Sequence, residues 1–181
     1  QYPESAHDLA SLYSFFIPAL PAKPKNLLEW VSKAVSADKS KHNLNYVYVN
    51  EKHIVATDGF RMHIMDNNGQ LSPGFYCPRT LEKAYDVDEE YGPKFPDYRR
   101  VIADIKRDKY QDIKSKKVIE IGSGIVCYSL SVDETTCLVN KKYFDAAVSF
   151  GVHSVAIVDN NSPVVIRWGE KTFALIMPIR R

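Results

Sequence analysis

The residues with catalytic or metal-binding potential are few and poorly spaced for either task. The histidines stand at 7, 42, 53, 63 and 153 and show no metal-ligand spacing. His53 and His63 fall on segments that read as neighbouring strands, but two imidazoles without a third ligand do not make a metal site. Cys77, Cys127 and Cys137 are too few and too far apart for a zinc ribbon, and their odd number argues against a disulfide framework. They read as buried free thiols in a reducing cytoplasm. Gly122-Ser123-Gly124 is a hairpin turn rather than a phosphate loop, because no helix follows it. Asp58 lies in a tight turn, where aspartate is favoured for its bonds to nearby backbone N–H groups. No Ser/His/Asp or Cys/His order stands out. The expectation is a protein with no enzymatic activity, no metal and no cofactor, whose chemistry is recognition.

Composition bounds the kind of recognition. The chain has 181 residues, 45% apolar and 25% charged, enough for a packed core in one domain or two small ones. No apolar run approaches the ~18 residues a membrane helix needs, and no signal peptide is legible in residues 1–22. The 24 Lys and Arg nearly cancel the 22 Asp and Glu, so any basic surface must be local. Two local biases exist. Asp86 to Glu90 is acidic, and residues 99–117 carry eight Lys/Arg against three Asp. That basic stretch reads as a solvated connector or short helix.

The elements that must position these residues follow from periodicity. Residues 14–20 (SFFIPAL) read as a first strand broken by Pro18. Lys23-Pro24-Lys25 reads as a turn, after which Asn26 can cap a helix with Glu29 reaching back as in a capping box. Leu27, Leu28, Val31, Ala34 and Val35 recur at helical spacing, which predicts an amphipathic helix over 27–36. Three short strands follow, 45–50, 53–57 and 61–66, as an antiparallel meander. GFYC at 74–77 reads as a strand, and Pro78 opens a short helix with Leu81, Ala84 and Tyr85 inward. Segments 117–121 and 125–132 form a hairpin around residues 122–124, and 135–139 is a strand. Asn140 caps a helix over 141–149, with Phe144, Ala147 and Val148 inward and Gly151 as its stop. Strands at 153–158, 163–168 and 172–178 close the chain. The fold class is α+β, with two β-α-β-β-β units, antiparallel sheets and helices on one face.

Three strings go beyond pattern: ATDGFRM at 56–62, FPDYRRVI at 95–102 and LIMPIRR at 175–181. They resemble, in order, three signature segments of the bacterial sliding clamp, the β subunit of DNA polymerase III: its ATDGHRL-like hairpin, its FPDYRRV-like link and its closing MPMRL-like strand. The resemblance covers residues 14–66 and 95–102 well and 74–85 and 118–181 moderately. It implies a DNA-clamp-like fold with residues 1–13 as an N-terminal arm and 14–181 as a single domain. That domain divides into a first unit at 14–66, an insert and charged linker at 67–117, and a second unit at 118–181. The chain departs from the family at Phe60, where His is frequent, at Ala103, where Pro usually follows the link, and at Arg181, where the last residue is usually apolar. It has material for about two units where a clamp subunit has six, an economy that points to a viral or mobile-element origin.

The resemblance implies two surfaces. Partners of clamps dock a short motif into a pocket, and its walls here are Thr57, Gly59, Phe60, Arg61, Met62, Ala103, Leu175, Met177, Pro178, Ile179 and Arg180. Met62, Leu175, Met177 and Ile179 offer adaptable apolar surface, Arg61 and Arg180 suit peptide carbonyls or carboxylates, and Gly59 permits close backbone approach. Clamp helices present cations to phosphates without reading sequence. The corresponding candidates are Lys25, Lys33, Lys39 and Lys41 around the first helix, Arg79 and Lys83 on the short one, and Lys141 and Lys142 opening the last. The expected function is a cytoplasmic processivity factor that encircles duplex DNA as a homo-oligomer and tethers a DNA polymerase or other replication protein. The alternatives are a clamp-derived adaptor or decoy that binds clamp-interacting motifs without encircling DNA, and a sequence-nonspecific DNA-binding regulator using 99–117.

Overall fold

The apolar periodicity from Leu27 to Val35 forms a helix that begins earlier than the cap pattern predicts. In a computed structural model, which describes residues 24–88, 93–103, 105, 109–151 and 153–180, helix α1 spans Pro24–Ser32. Pro24 therefore opens the helix, where its missing N–H costs nothing, and Asn26 lies inside the first turn rather than capping it. The end tightens: Ala34 and Val35 donate to carbonyls three residues back instead of four. The predicted first strand at 14–20 and the arm at 1–13 lie outside the described residues.

The meander appears as β1 (Val47–Val49), β2 (His53–Thr57) and β3 (Arg61–Asp66), followed by β4 (Gly74–Tyr76). The helix expected after Pro78 does not form. Leu81 takes a left-handed backbone conformation, Leu81 N–H donates to the Cys77 carbonyl, and Cys77 N–H donates to the Glu82 carbonyl. The chain thus doubles back, and Lys83–Tyr85 becomes an exposed strand, β5, paired with β4. Gly74 makes this possible, since a Cβ there would lie 2.7 Å from the Tyr85 carbonyl oxygen. Arg79 accordingly sits in a turn and Lys83 on an edge strand, not on a helix.

Of the two readings of the basic stretch, connector or short helix, the helix forms at its start, and strands follow it. The stretch forms α2 (Tyr98–Ala103), β6 (Gln111–Asp112) and the start of β7 (Ser115–Ile121). The reason is apolar: Phe95, Tyr98, Ile102, Ile105 and Tyr110 pack on Val55, Met62, Ile64, Val165 and Leu175. The remainder follows the sequence reading: β8 (Ile125–Val132), β9 (Thr135–Asn140), α3 (Lys141–Val148), β10 (Ser154–Ile157), β11 (Val164–Arg167) and β12 (Phe173–Ile176). Asn140 caps α3 as expected, its side-chain oxygen accepting from Lys142 N–H at 2.9 Å.

Among the described residues the strands form two antiparallel sheets. One has nine strands in the order β5-β4-β1-β2-β3-β12-β11-β10-β6, and the other is β7-β8-β9. Leaving β5 aside, the large sheet reads as the same series from either end: a short strand, then the three strands that follow a helix, meeting at the β3–β12 pair. Its inner face joins α1, α3, β8 and β9 in one core that includes Val31, Val49, Ile54, Leu130, Phe144 and Ile176. Its outer face is covered in the middle by the 95–110 segment. Alternation along β2 sends Ile54 and Ala56 inward and Val55 outward, and all three are buried. The two helices touch directly, Trp30 Nε1–H donating to the Ala147 carbonyl at 2.8 Å and Lys33 Nζ to Ser149 Oγ at 2.7 Å.

Candidate functional site

The 57–62 hairpin is built by its own side chains. Thr57 Oγ1 donates to the Arg61 carbonyl at 2.6 Å and accepts from Gly59 N–H, while Asp58 Oδ1 accepts from the N–H groups of Phe60 and Arg61. Gly59, at φ +95°, makes the turn that an L side chain would strain. This leaves Phe60 exposed (59%) at the tip.

The β3–β12 pair then brings the hairpin to the end of the chain. Met62 lies opposite Leu175, Arg61 opposite Ile176, and beyond the strand Met177 N–H donates to the Phe60 carbonyl at 2.8 Å. Met62 and Leu175 are buried beneath Ile102 and Ile105, so they form the floor of the region and not its open surface. Phe60, Met177 and Ala103 are exposed around it. Pro178 is half-buried, and Ile179 N–H donates to the Leu138 carbonyl at 2.7 Å, tying the end of the chain to β9. Ile179 and Arg180 line a separate cleft of about 420 Å³ with Ser129, Thr136, Leu138, Asn160 and Asn161. Apart from Ala103, at the end of α2, the candidates lie along the hairpin and the last strand, and they divide into a buried floor, an apolar rim and a polar cleft.

Arg61 is not a free hydrogen-bonding arm. Its Nε donates to Asp58 Oδ2 at 3.0 Å and its guanidinium lies 4.3 Å from the centre of the Tyr143 ring. It braces the hairpin against α3. Burial pushes the Tyr143 hydroxyl's pKa up, as does the nearby Asp58. Asp58 was legible only as a turn residue, and nothing in the spacing of the chain signals Tyr143 beneath Arg61. Asn160 and Asn161 read as turn residues, and their place in the Arg180 cleft depends on the return of the last segment to β9.

The cation candidates do not share one face. Lys25 falls in the first turn of α1. Lys33 is exposed and bridges to Ser149, and Lys39 is exposed. Lys41 belongs with the hairpin instead of the helices: its Nζ donates to the Asp58 carbonyl at 3.4 Å and lies 5.6 Å from the Phe60 ring centre. Lys83 pairs with Asp86 at 2.7 Å, and Lys141 pairs with Asp145 while lying over Tyr128. Arg79 and Lys142 are exposed.

A second cleft, of about 440 Å³, runs between the 95–99 segment and β1–β2. Asn50 Nδ2 donates to the Tyr98 hydroxyl at 2.7 Å, and that oxygen lies 3.0 Å from His53 Nδ1. Phe95 stacks on Tyr48 at 4.8 Å. These contacts fasten the linking segment to the sheet. Burial lowers the pKa of His53 and raises that of Tyr98.

Among the described residues no group of three or more His, Cys, Asp or Glu could hold a metal ion, and no helix is long and apolar enough to cross a membrane. The three cysteines are unpaired, and burial pushes Cys137 up to about 11.

No family model matches the chain, and no curated protein sequence matches it. Solved structures do. The DNA polymerase sliding clamp from Bacillus subtilis aligns with a TM-score of 0.58 at 14% identity, covering 93% of this chain and 68% of the clamp. The clamp from Pseudomonas aeruginosa aligns at 0.52 and 14%, covering 87% and 65%. The Helicobacter pylori beta clamp bound to DNA ligase peptide aligns at 0.56 and 13%, covering 93% and 70%. At such identities the likeness establishes the fold: this is an α+β chain with the architecture of bacterial sliding clamps, spanning about two thirds of their length.

Proposed function

We propose that the chain is a sliding-clamp-like processivity factor that encircles duplex DNA as an oligomer and tethers replication proteins, a DNA polymerase among them, through a peptide-binding pocket. The observation that carries this reading is the meeting of three distant segments at one end of the central β3–β12 strand pair. Met62 from the 56–62 hairpin and Leu175 from the last strand form the floor, α2 lies over it, and Phe60 and Met177 stand exposed at its rim. An extended peptide with aliphatic and aromatic anchors would lay them on this rim, and its polar end would reach the Arg180 cleft. One of the clamps similar in fold holds a DNA ligase peptide, which is the kind of partner this reading gives the chain. Exposed Lys33, just past the end of α1, and Lys142, in the first turn of α3, would meet phosphate oxygens without reading bases. The role is mechanical and topological, works in the cytoplasm, and assigns no side chain to catalysis.

The second reading, an adaptor that binds the same peptides without encircling DNA, is favoured by the cations themselves. Lys141 is ion-paired, Lys83 lies on an edge strand and pairs with Asp86, and Lys41 faces the hairpin, which leaves few cations for a basic helix face. Retention on nicked circular DNA, compared with the same DNA linearised, separates the two. The ring predicts retention on the circle and loss from the ends; equal, rapid loss from both leaves only the adaptor.

A further inference from the structure

Helix α2 has six residues, too few to hold its own shape, so its side chains must fasten it to the sheet. Tyr98, its first residue, is 4% exposed, and its hydroxyl meets Asn50 and His53 at the β1–β2 turn. The direction of these bonds is set at Asn50. Its Oδ1 already accepts the N–H groups of Lys52 and His53 at 2.9 and 2.8 Å, so the atom it turns to Tyr98 is the Nδ2 donor. The Tyr98 oxygen accepts there, and its own hydrogen is left to donate to His53 Nδ1. An imidazole accepts at Nδ1 only when it is neutral with its hydrogen on Nε2. Asn50, Tyr98 and His53 thus form a one-way relay that a second proton on His53 breaks. Further along the segment, Ile102 and Ile105 cover Met62 and Leu175.

We propose that the 95–103 segment is an acid-released strap: protonation of His53 undoes its fastening at Tyr98 and lets the segment lift from Met62 and Leu175. The ties on either side are Asn43 Nδ2 to the Lys94 carbonyl at 2.8 Å and the Tyr110 hydroxyl to the Pro163 carbonyl at 3.3 Å, and neither involves a group that titrates near neutrality. Several charges surround His53. Asp66 on β3 has its Oδ1 4.0 Å from Nε2 and favours the proton, but Lys171, in the β11–β12 turn, holds its other oxygen at 3.1 Å. Lys52, next in the chain, disfavours the proton. Glu51, Asp97 and Arg99 edge the same cleft, and Asp97 pairs with Arg99 and Arg100. Burial outweighs the pull of Asp66 and holds His53 below its ordinary pKa while the strap is closed. Lifting Tyr98 removes that burial and leaves Asp66 in place, so the open form takes the proton more readily. Opening is therefore favoured as pH falls through the ordinary imidazole range near 6.5.

The strap needs neither DNA nor a peptide, so it and the proposed function fail separately. Hydrogen–deuterium exchange of the full chain, corrected for the intrinsic rate, reads it from peptides covering 95–103, with β10 to β12 as the internal control. Between about pH 7.5 and about pH 5.5, opening of 95–103 should rise about fivefold relative to the control, the factor that one hydrogen bond supplies. His53→Asn keeps an acceptor near the Nδ1 position but cannot titrate, so its opening should stay low at both pH values. Tyr98→Phe keeps the ring and loses the relay, so its opening should already be raised about fivefold at neutral pH. Imidazole NMR shifts of the wild type at neutral pH should report the Nε2–H tautomer of His53. A wild-type segment without a pH response overturns the proposal. An Nδ1–H tautomer, or a His53→Asn variant that responds to pH as the wild type does, overturns it equally.

Discussion

Met62 and Leu175 face each other across adjacent antiparallel strands, from opposite halves of the chain, and each is buried. The β3–β12 pairing to which they belong joins the three strands after α1 to the three strands after α3 in a single sheet and places the exposed Phe60 and Met177 side by side. A residue that makes the floor and one that makes the rim should therefore behave differently when truncated.

Met62→Ala should lower unfolding free energy by about 2–4 kcal/mol, the usual cost of emptying a packed site. Phe60→Ala, at an exposed tip, should change it by less than about 0.5 kcal/mol. Urea denaturation of the two variants checks this, and comparable losses would mean that Phe60 belongs to the core.

Tyr98→Phe keeps the ring that packs on the outer face and removes only the hydroxyl shared by Asn50 and His53. The expected loss is about 1 kcal/mol, the net worth of such a bond. Limited proteolysis should speed up within 95–105 while the rest of the chain keeps its protection.

His63 is fully buried, its Nδ1–H donates to the Trp30 carbonyl at 2.9 Å, its ring stacks on Trp30, and its Nε2 has no partner among the described residues. Burial pushes its pKa down to about 3. The unfolded chain, with an ordinary imidazole near 6.5, then binds a proton that the folded chain refuses. The stability it contributes is complete above about pH 6.5 and falls on acidification toward pH 3, by up to roughly 1.4 kcal/mol per pH unit. His63→Phe, which keeps a ring against Trp30, should flatten stability against pH between about 6 and 4. An unchanged slope would assign the acid loss to other groups.

If Lys33 and Lys142 touch phosphates, replacing both with Ala should reduce the slope of log affinity against log salt by about 1–2 for nonspecific duplex. Lys83→Ala, on the exposed edge strand, should leave the slope alone. Equal slopes for wild type and the Lys33/Lys142 pair would remove the helices from the DNA surface.

Much of the second half was legible because local signals agreed with the final packing. Asn140 is a cap by type and by geometry, and β10, β11 and β12 are short apolar runs separated by turn residues. The reading failed where a local pattern had two solutions. Pro78, Leu81, Ala84 and Tyr85 fit a helix by spacing, but Gly74 lets β5 approach β4, and Leu81 takes the left-handed turn that brings it there. The 99–117 stretch read as a solvated connector or short helix because its charges outnumber its apolar residues, and a short helix does form at its start, but its burial was not legible. Only the outer face of the sheet, assembled from both halves, gives Ile102, Ile105 and Tyr110 something to cover. The site residues were legible as strings and Asp58 as a turn residue, but Lys41 and Tyr143 beside that hairpin depend on long-range packing that no local spacing encodes.

The most direct test of the account is titration of the full chain with a short Gln-Leu-x-Leu-Phe-like peptide, read by fluorescence anisotropy. The wild type should bind, and Phe60→Ala combined with Met177→Ala should weaken binding roughly tenfold or more while leaving urea stability nearly unchanged. A wild type that does not bind, or a double variant that binds as well as the wild type, would contradict it.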